Sequence, residues 1–285
     1  LTEEDHFFYS TWQSDYIRGT AAGIDITGID PQAWLHDSLF HVHRIDVENA
    51  GIDVTRDKRH PFFHGTEKQM PTQMLGAVKQ RFRIDSIVFR NSRVAYNEYS
   101  NLTNRKGVVP IENINATLKN LTNDHIDNTD TLALKGKGQI YNSHISKFSY
   151  KEVYDDSLSA FSLTVKISPT ELREFSRMTE PLAAVEVTSG QFDTLLARIS
   201  GNKYASVGAM RFDYRDLKIQ LLNPEDTLSK RLGLSFVNFV ANSFVIKSGN
   251  KKPSTIFFMR DRERFVFNYW MKSILSGVLT NAGIK

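Results

Sequence analysis

Apolar and polar residues alternate with period two over most of this chain, and that single pattern restricts it to a β-rich fold. In 39–57 (LFHVHRIDVENAGIDVTRD), Phe40, Val42 and Arg44 point to one face of a strand, and His41, His43 and Ile45 to the other. Asn49-Ala50-Gly51 predicts a turn between two short strands, because Asn and Gly tolerate left-handed backbone. Residues 81–99 (RFRIDSIVFRNSRVAYNEY) carry the same Arg-Ile-Asp at 83–85 that 44–46 carry, at an offset of 39 residues. A looser copy at 212–222 (FDYRDLKIQLL) adds to the hint of a repeated strand–turn–strand unit.

Further strands continue the alternation. In 108–118, Ile114, Ala116 and Leu118 share a face. In 130–140, Leu132 and Leu134 do so before the face passes to Gly136 and Gly138, where a bend or close backbone approach is expected. Phe161, Leu163, Val165 and Ile167 alternate with polar residues in 157–167, and segments 185–187, 191–199 and 205–214 repeat the pattern. Three helices are predicted. The first spans 169–178, with Ser168 as N-cap and Pro169 at the first helical position. The second spans 228–241, with Leu232, Phe236 and Phe239 on one stripe. The third spans 261–280 and has a broad apolar arc. No linker divides the 285 residues, so 1–285 is expected to form one elongated β-rich domain.

Chemistry-bearing motifs are absent. The chain has no cysteine, which excludes disulfides, thiolate metal sites and thiol nucleophiles. It has no phosphate-binding glycine loop, no zincin helix and no serine elbow. His41 and His43 share a strand face, with His60 and His64 nearby, but no carboxylate partner is visible and they read as surface residues around a loop. The pairs Asp155-Asp156 and Asp25/Asp30 would serve acid–base chemistry only if they converged. No metal, cofactor or catalytic residue is therefore expected. The net charge of +4 is spread out, with a local excess at Lys247, Lys251, Lys252, Arg260, Arg262 and Arg264 that suits a solvated surface or anionic headgroups. Aromatic residues alternate within strands as core residues do, so nucleic acid is not an expected partner.

Four stretches resemble AsmA-like proteins of Gram-negative envelopes, especially those of the Bacteroidetes type. They are 82–99 (FRIDSIVFRNSRVAYNEY), 107–123 (GVVPIENINATLKNLTN), 169–190 (PTELREFSRMTEPLAAVEVTSG) and 269–278 (YWMKSILSGV). The resemblance covers about residues 80–278. It implies a mainly β fold, a long curved antiparallel sheet folded over like a taco around an apolar groove, with about three short helices including a C-terminal one. It also implies a periplasmic location, tethered to the inner membrane by an anchor in a missing N-terminal part. The chain begins at Leu1 without an initiator Met, as a fragment or processed product would.

The function this implies is non-enzymatic. Phospholipid or another acyl-chain lipid would be bound or conducted in the groove, supporting outer-membrane lipid homeostasis. Candidate groove or core positions are Val94, Tyr96, Ile114, Ala116, Leu118, Leu132 and Leu134, then Phe161, Leu163, Val165, Phe212, Leu217 and Ile219. An acyl chain needs apolar area rather than reactive groups. The alternative is an assembly module docking envelope-protein partners through sheet edges. An enzyme or glycan binder would need a polar cleft, which nothing in the sequence indicates.

Overall fold

The structure is a computed structural model and describes residues 2–124, 130–141, 143–222 and 249–283. It is mainly β, as the alternation predicts: one large curved, unclosed sheet of 13 strands. The first four are β1 (Asp15–Thr20), β2 (Gly23–Ile29), β3 (Phe40–Glu48) and β4 (Gly51–Asp57). Two long strands follow, β5 (Phe82–Tyr99) and β6 (Lys106–Thr122), then β7 (Thr131–Ile140), β8 (Ser143–Val153), β9 (Phe161–Ile167) and the short β10 (Thr170–Glu171). The sheet ends with β11 (Val185–Gly201), β12 (Ala205–Leu221) and β13 (Ser254–Met259). From β5 onward, consecutive strands pair antiparallel, with β10 set aside against β11.

The sheet is mixed rather than wholly antiparallel. β3 and β4 both run parallel to β5, beside its first and second halves. The residues at 49–51 are therefore a bend and not a hairpin. Asn49 takes φ 50°, and the chain continues along β5. Asn91 sits level with this bend at φ 46°, in a register break of β5, and donates from Nδ2 to Asn49 Oδ1 at 2.7 Å. Asp216 plays the matching part in β12 at φ 55°. The three sequence copies thus share a left-handed Asn or Asp at a bend. Such bulges bend strands and increase twist, which curls the sheet.

Five α-helices are described: α1 (Glu3–Phe8), α2 (Pro31–Asp37), α3 (Pro71–Gly76), α4 (Ser176–Ala183) and α5 (Val266–Asn281). The helix predicted over 169–178 begins later. Thr170 and Glu171 pair with Phe192 and Gln191 of β11, so Ser168 and Pro169 lead into a strand. A 3-10 turn (Leu172–Phe175) then precedes α4. Tertiary pairing overrides the capping signal there. The predicted helix over 228–241 lies outside the described residues. Helices α1, α2 and α3 lie outside the three expected helices, although their start signals are in the sequence: Thr2 with Asp5 forms a capping box, Asp30 precedes Pro31, and Pro71 opens α3.

The core lies in the second half of the sheet, on its inner face. Tyr150, Leu163, Ala197, Ile199, Met210 and Ile256 are all buried there, and α5 lies over them. Trp270 of α5 packs on Tyr150 and Phe148, with ring centroids 4.5 and 5.8 Å apart. Phe267, from the same helix, reaches Tyr96 of β5 at 6.3 Å. Helix α5 is thus held inside the curl. Helix α4 fills it elsewhere, joining Val187 of β11 through the Ser176 hydroxyl and pressing Leu182 on Gly107 of β6.

Candidate functional site

Register carries single rows of side chains across the sheet, because residues directly opposite on neighbouring strands share a face. One row runs Ile26, Ile45, Ile87, Leu118, Leu134 and Tyr150, then Leu163, Ile199, Gly208 and Ile256. A second runs Ile24, Val47, Phe89, Ala116, Gly136 and Phe148, then Val165, Ala197, Met210 and Ser254. Each crosses ten strands, and polar side-chain atoms enter only at the Tyr150 hydroxyl and the terminal Ser254. The row between them faces the other way: Asp25, Asp46, Val88, Thr117 and Lys135, then Ser149, Thr164, Arg198, Ala209 and Thr255. Over these rows the inner face is apolar and the outer one largely polar; two residues further along their strands, the same inner face carries His43, Asp85 and Glu152. At about 4.8 Å between strands, ten strands make the apolar rows about 45 Å long.

The inner face is covered unevenly. At the β8–β13 end α5 seals it, and Tyr150, Leu163 and Ile256 are 1–2% exposed. At the other end Ile24 and Ile26 are 60% and 47% exposed. Ile17 of β1 and Ile52 of β4 belong to this open region as well. They lie in register rows with Tyr96 and Val94, on the face that meets α5, and are 66% and 41% exposed. Helix α1 leaves them open, because its Glu3 bonds Thr55, Tyr99 and Lys106 on the outer face. Water-exposed apolar rows of this kind are costly for a protein to leave uncovered.

The thirteen positions singled out in the sequence divide accordingly. Leu132, Phe161, Leu163, Val165 and Phe212 are buried core. Leu134, Leu217 and Ile219 are half-buried against it. Val94, Tyr96, Ile114, Ala116 and Leu118 are half-buried on β5 and β6, where the covered and open parts meet. Gly136 sits in the second row because a Cβ there would stand 2.7 Å from that of Ala116, the close approach expected of it. Ile17, Ile24, Ile26 and Ile52 were missed. The signal was present in GIDITGI (23–29), which alternates as clearly as any strand of the chain.

One buried polar cluster stands on the inner side. Glu152 of β8 is fully buried; it accepts from the Tyr150 hydroxyl and the Thr72 hydroxyl, both at 2.7 Å, and from the Thr72 amide at 3.4 Å. Burial pushes its carboxyl above the ordinary range, and those hydrogen bonds offset this only in part. The Tyr150 hydroxyl is also pushed up, first by burial and then by Glu152. The cluster ties α3 to β8, and its donors and acceptors are turned on one another.

His41 and His43 do have a carboxylate partner, Asp85, which the parallel pairing of β3 with β5 brings to them; the other polar candidates are dispersed. Asp156 accepts from the Leu158 and Ala160 amides in a turn, and Asp155 is exposed beside it. Asp25 pairs with Asp46 across β2 and β3, while Asp30 caps α2. His64 bonds Glu263 at 2.7 Å, and His60 lies 3.9 Å from Asp57. In the C-terminal basic cluster Arg260 is buried, Arg262 pairs with Glu67, and Arg264 stacks on Phe62 at 3.6 Å. Lys247 lies outside the described residues. Among the described residues, no helix is long and apolar enough to cross a membrane.

No protein-family model and no curated protein matches this sequence.

Proposed function

We propose that this chain is a non-enzymatic lipid-binding module of an AsmA-like envelope protein, holding acyl chains against the open part of its inner face. The observation that carries this is the pair of apolar rows crossing ten strands, buried under α5 at one end and exposed at Ile24 and Ile26 at the other. A protein that used the face only as core would cover all of it. Each acyl methylene taken from water onto such a surface contributes about 0.8 kcal/mol and needs no polar partner. The proposed setting is the periplasm, with an inner-membrane tether elsewhere in the full protein and a role in outer-membrane lipid homeostasis.

The test is native mass spectrometry after incubation with phospholipid vesicles. Wild-type chain is expected to carry lipid, and Ile26→Asp, at an exposed position, to lose it while keeping its far-UV circular dichroism. Phe161→Asp and Leu163→Asp are expected to unfold the protein, because both side chains are core. A clean apo mass for wild type sinks the proposal.

A second reading is favoured by one further feature. On the outer face beside β13, Val207, Phe257 and Met259 are 55%, 62% and 71% exposed. β13 pairs only with β12 among the described residues. A strand edge next to an apolar patch suits addition of a partner strand. In that reading the chain is an assembly module, and a stable complex with another envelope protein in the absence of lipid is the distinguishing result.

A further inference from the structure

We propose that His41, His43 and Asp85 bind a divalent transition-metal ion of the zinc class, with Asp30 orienting His41. The two histidines lie two apart on β3 and so share a face, with ring centroids 4.8 Å apart. The parallel register sets Val42 against Ile84 and Arg44 against Ser86, which brings His43 level with Asp85 of β5. Asp85 reaches both imidazoles, Oδ2 at 2.7 Å from His43 Nδ1 and Oδ1 at 3.4 Å from His41 Nε2. One ligand atom from each residue falls within 4.8 Å of the others. A tetrahedral ion with bonds of about 2.0 Å sets its ligands about 3.3 Å apart. The separations of Asp85 from the two histidines bracket that value.

The surroundings favour a built site over a chance meeting. The other nitrogen of His41, Nδ1, lies 3.9 Å from Asp30 Oδ2. Asp30 is itself fixed, because its Oδ1 accepts from the Gln32 and Ala33 amides at the start of α2 and its amide donates to the His41 carbonyl. At 3.9 Å the Asp30–His41 contact is an ion-pair distance and not a hydrogen bond; on closing to hydrogen-bond length the carboxylate would select the tautomer of the ligating imidazole and strengthen it. The His43 ring packs on Gly28, which takes φ 68°, and a Cβ at that glycine would stand 2.5 Å from His43 Cδ2. Two imidazoles and one carboxylate make a three-ligand set of the kind that leaves a fourth position to water or an anionic oxygen. Arg83 competes, since its Nε donates to Asp85 Oδ1 at 3.2 Å. Its side chain is 47% exposed and has solvent to turn into.

The test is titration of the untagged chain with Zn²⁺ by calorimetry and with Co²⁺ by visible absorption. Wild type is expected to bind one ion, with the intense cobalt spectrum of a four-coordinate centre. His41→Ala, His43→Ala and Asp85→Asn are each expected to abolish that spectrum. Asp30→Asn should keep the stoichiometry and weaken affinity about 10-fold or more. His64→Ala, which removes a separate His–Glu pair, should leave binding unchanged. The proposal is overturned if wild type binds no more tightly than His43→Ala, or if His64→Ala is the variant that loses the ion. A change in thermal stability without Zn²⁺ would report folding; dependence of that stability on added Zn²⁺ in wild type alone reports the site.

Discussion

Gly277 of α5 lies so close to Ile256 of β13 that a Cβ on the glycine would stand 2.7 Å from Ile256 Cγ1. Met210 of β12 closes the other side, its Cε 3.0 Å from the same point. The helix can seal the inner face only because this position has no side chain. Gly277→Val is expected to push the helix off the sheet and destabilise the protein by about 1–3 kcal/mol. Gly277→Ala should lose less, since alanine recovers up to about 1 kcal/mol of helix propensity. Thermal unfolding checks both, and an unchanged midpoint for Gly277→Val would mean that the helix does not rest on this surface.

The Glu152 cluster makes a prediction in pH. The folded protein holds this carboxyl above its ordinary value of 4.5. Below pH 4.5 folded and unfolded states both carry the proton. As pH rises from there through the raised folded value, the unfolded chain releases the proton first, so this residue's contribution to stability falls; above that value the loss is complete. Glu152→Gln has no proton to lose. Urea unfolding at several pH values should therefore show wild type losing ground against Glu152→Gln from pH 4 upward. A difference independent of pH would refute the raised pKa. Glu152→Ala leaves the Thr72 and Tyr150 hydroxyls without their acceptor and should cost about 2 kcal/mol or more.

Asn91 and Asn49 face each other at the bend, both with positive φ and joined by a side-chain hydrogen bond. A β-branched residue in left-handed backbone is strained by about 1–2 kcal/mol, while glycine is not. Asn91→Val is expected to destabilise by about that much, and Asn91→Gly by well under 1 kcal/mol. Chemical denaturation of the two variants checks this. Equal losses would show that the side-chain bond, not the backbone, is what the position requires.

What the chain determined alone is local. Period-two alternation fixes which side chains of one strand share a face, so Phe161, Leu163 and Val165, or His41, His43 and Ile45, were grouped correctly before any strand was paired. Asn49 and Gly136 also announced a bend and a close approach, because few residues tolerate either. What only the tertiary structure decided is register and cover. Nothing local distinguishes a hairpin at 49–51 from two strands lying parallel beside β5, yet that choice brings Asp85 to His43 and carries Ile26 into line with Ile87. Nor does alternation say which part of an apolar face a distant helix will seal. Phe161 and Ile26 stand on equally regular strands, and one is core while the other is open because α5 reaches only so far across the sheet. Burial is a property of the whole packed chain, and a strand's own sequence specifies only the side it offers.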